Sequence, residues 1–235
     1  LINNTRNKHI GNKEWDFKNS APPNQIPLGG VNAGQICPGA GCGDHYDNAD
    51  FTSISGASSY ELIAKDFIAS LENPHIKAII LNIDSPGGEV NGVAELASMI
   101  FDARGTKPII AYASGDAASG AYWVASAADE IVVSETSALG SIGVVGIYRG
   151  KSDKESAGAV EIVSSQSPHK RLDPATDEGK ARLQTRIDSM ADVFISSVAR
   201  NRNITATDVQ ANFGGGDVMI GGLAVNAGLA DRIGS

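Results

Sequence analysis

Apolar positions along this chain switch between two periods, and the switching predicts strands alternating with helices. YELIAKDFIASLE (60–72) places Tyr60, Ile63, Ala64, Phe67 and Leu71 on one helical face. KAIILNID (77–84) is a continuous apolar run, as expected of a buried parallel strand. From Gly87 a helical face runs through Val90, Val93, Leu96, Ala97 and Ile100, ending near Gly105. KPIIAYA (107–113) predicts the next strand, and ASGAYWVASAA (118–128) a short helix of small residues. EIVVSE (130–135), IGVVGIY (142–148) and AVEIVS (159–164) predict three more strands, and GQI (34–36) a short early one. In 176–202, Leu183, Ile187, Met190, Phe194 and Val198 recur at three- and four-residue steps, predicting a long amphipathic helix. Thr176 suits its N-cap, and Asp177 and Glu178 suit the positive end of its dipole. GGLAVNAGLADRIGS (221–235) closes the chain as a short helix and strand. The expected class is α/β with a mostly parallel sheet flanked by helices.

Residues 1–28 break this pattern. They are polar, rich in Asn, and end in APPNQIP, so they predict an arm or linker ahead of a domain over 29–235. The stretch 37–58 is Gly-rich and predicts a long loop. It holds both cysteines, Cys37 and Cys42, with Asp44 and His45 close by. Two cysteines make no disulfide framework, and the spacing fits no standard zinc pattern, so no metal and no cofactor is expected.

Composition narrows the function classes. The 235 residues are 42% hydrophobic and 20% charged, ordinary for a globular protein. The net charge of −8 gives no electrostatic footprint for a phosphate backbone, so nucleic acid is not an expected partner. No apolar run approaches the roughly 18–20 residues that span a bilayer. The first residues, Leu1-Ile2-Asn3-Asn4, carry neither a basic n-region nor an apolar core, so no secretory signal is expected in them.

The candidate chemistry sits in two loops that leave consecutive predicted strands. The first is Asp84-Ser85-Pro86-Gly87-Gly88 and the second is Gly115-Asp116-Ala117-Ala118-Ser119-Gly120. In parallel sheets, ligands collect at the carboxyl ends of strands. Each loop alone reads as a turn and helix start. Together, at two neighbouring strand-to-helix junctions, they offer the amides of Gly87 or Gly88 and of Gly120 to a developing oxyanion, with Ser119 between them as nucleophile. Such a serine needs a base. Of the four histidines, His9 and His45 lie in the arm and the loop, and His75 precedes a strand at its wrong end. His169 remains open, but Lys170 beside it is the better candidate, provided desolvation lowers its pKa toward neutrality. Spacing alone equally allows His169-Lys170-Arg171 to be a solvated basic cluster.

SPGG (85–88), then DAASGAYWVAS (116–126), then ALGSIGV (138–144) closely resemble peptidase family S49, which includes signal peptide peptidase A and the phage head-maturation proteases of the protease C type. The likeness covers about 29–235, and SPHKRLDP, FISSVARNRN and GGLAVNAGLADRIGS bring it nearest the phage branch. Two departures are minor: Asp84 stands where relatives often have Asn, and Ala121 where bacterial signal peptide peptidases usually have a second Gly. The resemblance implies a ClpP/crotonase-like fold and a Ser/Lys dyad. Ser119 resembles the nucleophile, Lys170 the general base, and Ser141 the serine that orients the lysine amine. Gly88 and Gly120 resemble the oxyanion donors. Lys151, Lys154 and Lys180 compete with Lys170 for the base. Tyr122 and the loop after Gly88 are expected to line a substrate groove that prefers small or hydrophobic side chains. The implied partners are a peptide or protein substrate and further copies of the chain in a ring.

The expected role is phage capsid maturation on scaffold or head proteins, in the host cytoplasm or the prohead. The alternative is degradation of signal peptides at the cell envelope. A crotonase-like acyl-CoA enzyme would share the sheet and oxyanion hole but use carboxylates, with Asp116 or Glu89 as candidates; it leaves Ser119, Ser141 and Lys170 unexplained. An inactive scaffold would keep the fold without turnover.

Overall fold

A computed structural model describes residues 24–28, 58–149 and 160–234 of the chain. Strands β1 (Asn24–Leu28), β2 (Ile79–Ser85), β3 (Ile109–Ala118), β4 (Glu130–Val133) and β7 (Arg232–Ile233) lie in that order in one sheet, every neighbouring pair parallel. Strand β5 (Ala138–Gly140) pairs parallel with the end of β3, and β6 (Val218–Ile220) pairs antiparallel with β5. Helices α1 (Tyr60–Glu72), α2 (Val93–Asp102), α3 (Gly120–Ser126), α4 (Asp177–Arg202), α5 (Ala206–Asn212) and α6 (Gly222–Ala227) follow between them. This is the expected α/β class, a mostly parallel sheet flanked by helices.

The apolar periods account for most of these elements. In β2, Ile79, Leu81 and Ile83 are fully buried while Ile80 and Asn82 are only half-buried. The run expected to be buried on both sides is thus fully buried on one face. Helix α1 spans the predicted residues, and the Ser59 hydroxyl caps it by accepting from the Glu61 N–H. Helix α4 buries Leu183, Phe194 and Val198, and Thr176 caps it as expected, its Oγ1 accepting from Gly179 N–H at 3.0 Å.

Five expectations need correction, the first being that the helix expected from Gly87 begins only at Val93, after a turn over 86–92. Asn24–Leu28, predicted as the end of a linker, forms edge strand β1, so the sheet begins five residues before Gly29. An edge position tolerates the missing donor of Pro27. IGVVGIY (142–148) is not a strand, and neither is 160–164. Pairing partners, not composition, make a strand: β5 precedes the first segment and takes the available edge of β3. Val145, Ile147, Val160 and Ile162 are strongly exposed instead. Helix α5 and strand β6 were not foreseen; α5 is held by a reciprocal capping box between Thr205 and Asp208. The predicted strand 34–36, the loop through residue 57 with Cys37, Cys42, Asp44 and His45, and Lys151 and Lys154 lie outside the described residues.

Two features aim the carboxyl end of β3. Ile83 pairs with Ala113 and Ser85 with Ala117, so Asp84 alone faces three residues, Ser114-Gly115-Asp116. The bulge bends β3 away from β4, its partner over Ile110–Ala113, toward β5, its partner at Ala117 and Ala118. The Asp84 carboxylate holds the bulge by accepting from the Asp116 N–H at 3.2 Å. Helix α3 is then anchored from behind. Trp123 stacks on Phe194 of α4, 4.4 Å between centroids and 6° between planes. The Arg104 guanidinium donates to the carbonyls of Ser126, Ala127 and Ala128 at its C-terminal end, and to that of Asn201. Asn201 Nδ2 donates to Ser126 Oγ at 2.9 Å. A seven-residue helix is too short to be stable alone; these anchors hold it, and with it the residue at its N-terminus.

Candidate active site

That residue is Ser119, in the N-cap position of α3 with φ 52° and ψ −125°. Only three non-glycine residues among those described have positive φ, namely Ser119, Ser141 (φ 51°) and Asn203, which caps α4. Two of the three are candidate site serines. Such conformations cost about 1–3 kcal/mol each and persist only where neighbouring structure over-determines them. Here the neighbours are short backbone hydrogen bonds. Ser119 N–H donates to the Gly140 carbonyl at 2.8 Å, Trp123 N–H to the Ser119 carbonyl at 3.0 Å, and Ser141 N–H to the Asp217 carbonyl at 2.8 Å. The β3–β5 pairing therefore carries Ser119 and Ser141 together, linked through Gly140.

The loop after β2 closes over Ser119. A Cβ built on Gly87, whose φ is +123°, would sit 2.7 Å from Ser119 Cβ and 3.2 Å from its Oγ. Only glycine allows that approach. The Ser85 hydroxyl accepts the Gly87 N–H at 3.2 Å, so this amide already has a partner. Gly88 and Gly120 N–H have no acceptor among the described residues. The Gly88 nitrogen lies 3.6 Å from where a Gly120 Cβ would project, so Gly88 lies against the residue that follows Ser119. Ser119 is half-exposed, accessible from solvent. This arrangement offers a hydroxyl and two uncommitted backbone donors to a carbonyl approaching from outside.

The base is less assembled. Lys170 is exposed, in the turn before α4, its own N–H donating to the Ser167 carbonyl at 3.0 Å. No hydrogen bond among the described residues joins its ammonium to Ser119 or Ser141. His169 Nδ1 faces Glu178 at 3.7 Å, and Arg171 pairs with Glu161 at 2.9 Å. Lys180 is exposed in the first turn of α4. Tyr122 requires a correction. It is fully buried, its hydroxyl donates to the Leu229 carbonyl at 3.0 Å, and its ring meets the edge of Phe213. Burial pushes its phenol well above the usual range. It anchors α3 to the C-terminal segment and presents no surface to a substrate. The residue that does approach the glycine loop is Tyr60, read from the sequence only as part of an apolar helix face. Its hydroxyl donates to the Glu89 carbonyl at 2.8 Å. No group of three or more potential metal-ligating side chains occurs among the described residues.

The model of peptidase family S49 matches residues 102–235, more than half of the chain. The chain belongs to peptidase family S49. Its relatives include the head-tail preconnector protein GP5 of Enterobacteria phage P21, 30% identical over 187 residues covering 77% of this chain and 36% of that one. Capsid assembly protease C of Escherichia phage lambda is 29% identical over 187 residues, 76% of this chain and 42% of that one. The putative signal peptide peptidase SppA of Enterococcus faecium is 31% identical over 175 residues, 69% and 49% respectively. The chain thus spans between about a third and a half of the length of these relatives. No helix among the described residues is long and apolar enough to cross a membrane.

Proposed function

We propose that the chain carries a serine endopeptidase with a Ser/Lys dyad, contained in a domain over about 24–235. The observation that supports this most is the half-buried Ser119, held at positive φ at the N-terminus of α3 with the Gly87–Gly88 turn packed against it. In the proposed mechanism the neutral Lys170 amine takes the Ser119 proton as Oγ attacks a peptide carbonyl. The carbonyl oxygen becomes an oxyanion and accepts from the Gly88 and Gly120 N–H groups. Lys170 then donates its proton to the leaving nitrogen as the C–N bond breaks. Water, deprotonated by Lys170, attacks the ester, and Ser119 leaves with its proton restored. Ser141 orients the lysine amine.

Lysine serves as base near neutral pH only when desolvated. Lys170 is exposed in the single chain, so a bound substrate or a second copy must cover it. Val145, Val160 and Ile162, each at least 85% exposed in segments without helix or strand, supply apolar surface for such a contact. They support the expected assembly into a ring.

Likeness to two phage proteins, one of them a capsid assembly protease, supports capsid maturation on scaffold or head proteins, in the prohead or host cytoplasm. Likeness to a putative signal peptide peptidase supports the second reading, degradation of cleaved signal peptides at the envelope. Cleavage of denatured casein and a peptide panel across pH 6–10, with Ser119→Ala and Lys170→Ala beside the wild type, tests the activity. Both variants are expected to fold and to lose turnover. An active Lys170→Ala would move the base to another lysine or to His169.

A further inference from the structure

We infer that Tyr60 is a positioning residue for the oxyanion hole, clamping the loop that carries the Gly88 amide; the inference deepens the peptidase reading and rests on it. Residues 86–92 between β2 and α2 form no helix or strand. Ser85 Oγ ties the near end through Gly87 N–H and carbonyl, both at 3.2 Å. Beyond Gly87 the ties inside the loop are equally long and lie on an exposed surface: the Glu89 carboxylate accepts from Val90 N–H and Asn91 Nδ2 at 3.2 Å. Among the described residues, the one strong tie from outside is Tyr60. Its hydroxyl donates to the Glu89 carbonyl at 2.8 Å, one residue past Gly88.

The ring fills the space behind the same loop. Cβ atoms built on Gly88 and Gly92 would meet Tyr60 Oη at 2.8 Å and Cδ2 at 3.1 Å. The hydroxyl also lies 3.6 Å from where a Gly120 Cβ would project. One side chain thus packs behind Gly88 and faces Gly120, the two proposed oxyanion donors. It reaches there from α1, whose start is fixed by the Ser59 cap and whose Phe67 lies in the core. Burial first, and the Glu89 carboxylate second, push its phenol up to about 12, so it stays protonated and donates wherever a peptidase works. A developing oxyanion rewards donors that are held in place beforehand. Substrate in its ground state gains little from that order. Loosening the clamp is therefore a loss in kcat and not in KM.

The test is Tyr60→Phe, which keeps the ring and removes the hydroxyl, measured in two ways. In turnover of a peptide substrate, kcat falls about tenfold while KM stays within about twofold, short of the 10²–10³-fold loss of a deleted donor. In amide hydrogen exchange of the uncomplexed full chain, residues 87–92 exchange faster and α2 is unchanged. Unchanged kcat, a loss confined to KM, or unchanged exchange over 87–92 overturns the inference. The two readouts separate it from the peptidase reading: a wild type that turns over no peptide, with exchange still faster in Tyr60→Phe, leaves the clamp standing and defeats the peptidase assignment.

Discussion

Gly87→Ala tests how Ser119 is framed, because the glycine is required for two separable reasons. The first is conformational: φ at +123° strains any L side chain, by about 1–3 kcal/mol. The second is contact. The new Cβ would lie 2.7 Å from Ser119 Cβ and 3.3 Å from the Ala118 carbonyl, against an optimum of about 3.5–4.0 Å between carbons. Neither neighbour can rotate away, since one is a Cβ and the other backbone. The loop must shift, and the Gly88 amide shifts with it. The expected result is a stability loss of about 2–4 kcal/mol with a 10²–10³-fold fall in kcat. Gly105→Ala is the control: it too has positive φ, +83°, but nothing lies within 4 Å of the built Cβ. It should lose about 1–2 kcal/mol and no activity. Urea denaturation gives the stabilities and peptide turnover the rates. Gly87→Ala within twofold of wild-type turnover, or no less stable than Gly105→Ala, would refute the packing of this loop on Ser119.

Three further predictions follow from anchoring and protonation. Phe194→Ala removes the stacking partner of Trp123 from a site only 2% exposed, and should cost about 3–5 kcal/mol in urea denaturation. Thr205→Ala breaks the capping box of α5 and should cost about 1 kcal/mol, read as a small drop in Tm. Tyr60 in the folded chain titrates at about 12, above the unfolded value of about 10. Its stability contribution is therefore complete below pH 10 and lost as pH rises through 12. Over that window, wild type should lose about 2 kcal/mol more than Tyr60→Phe, and parallel alkaline curves would contradict this.

Elements with a strong apolar period and a cap were legible from the residues: α1 and α4 fall where spacing, Ser59 and Thr176 put them. Segments whose fate depends on a distant partner were not. Asn24–Leu28 looks like linker, yet it is a strand because β2 offers an edge. Residues 142–148 look like strand, yet β5 occupies that edge first. In the site, motif and spacing pointed to Ser119, Ser141, Gly88 and Gly120, which the structure gathers around the β3–β5 junction. Spacing alone leaves Gly87 and Gly88 both open and the resemblance favours Gly88, whose amide, unlike that of Gly87, has no partner among the described residues. Tyr122 and Tyr60 exchange expectations for a similar reason. A tyrosine beside a nucleophile reads as groove and one on a helix face as core, and only the third dimension shows which reaches the loop. The bulge opposite Asp84 leaves no local signature.

Trapping an acyl-enzyme decides whether Ser119 is the covalent nucleophile. The full chain is mixed with an activated peptide ester, quenched in acid, digested and mapped by mass spectrometry. One acyl group is expected, on Ser119, absent in Ser119→Ala and slow to form in Lys170→Ala. An acyl group on another side chain, or cleavage with no acyl-enzyme in wild type, would contradict it.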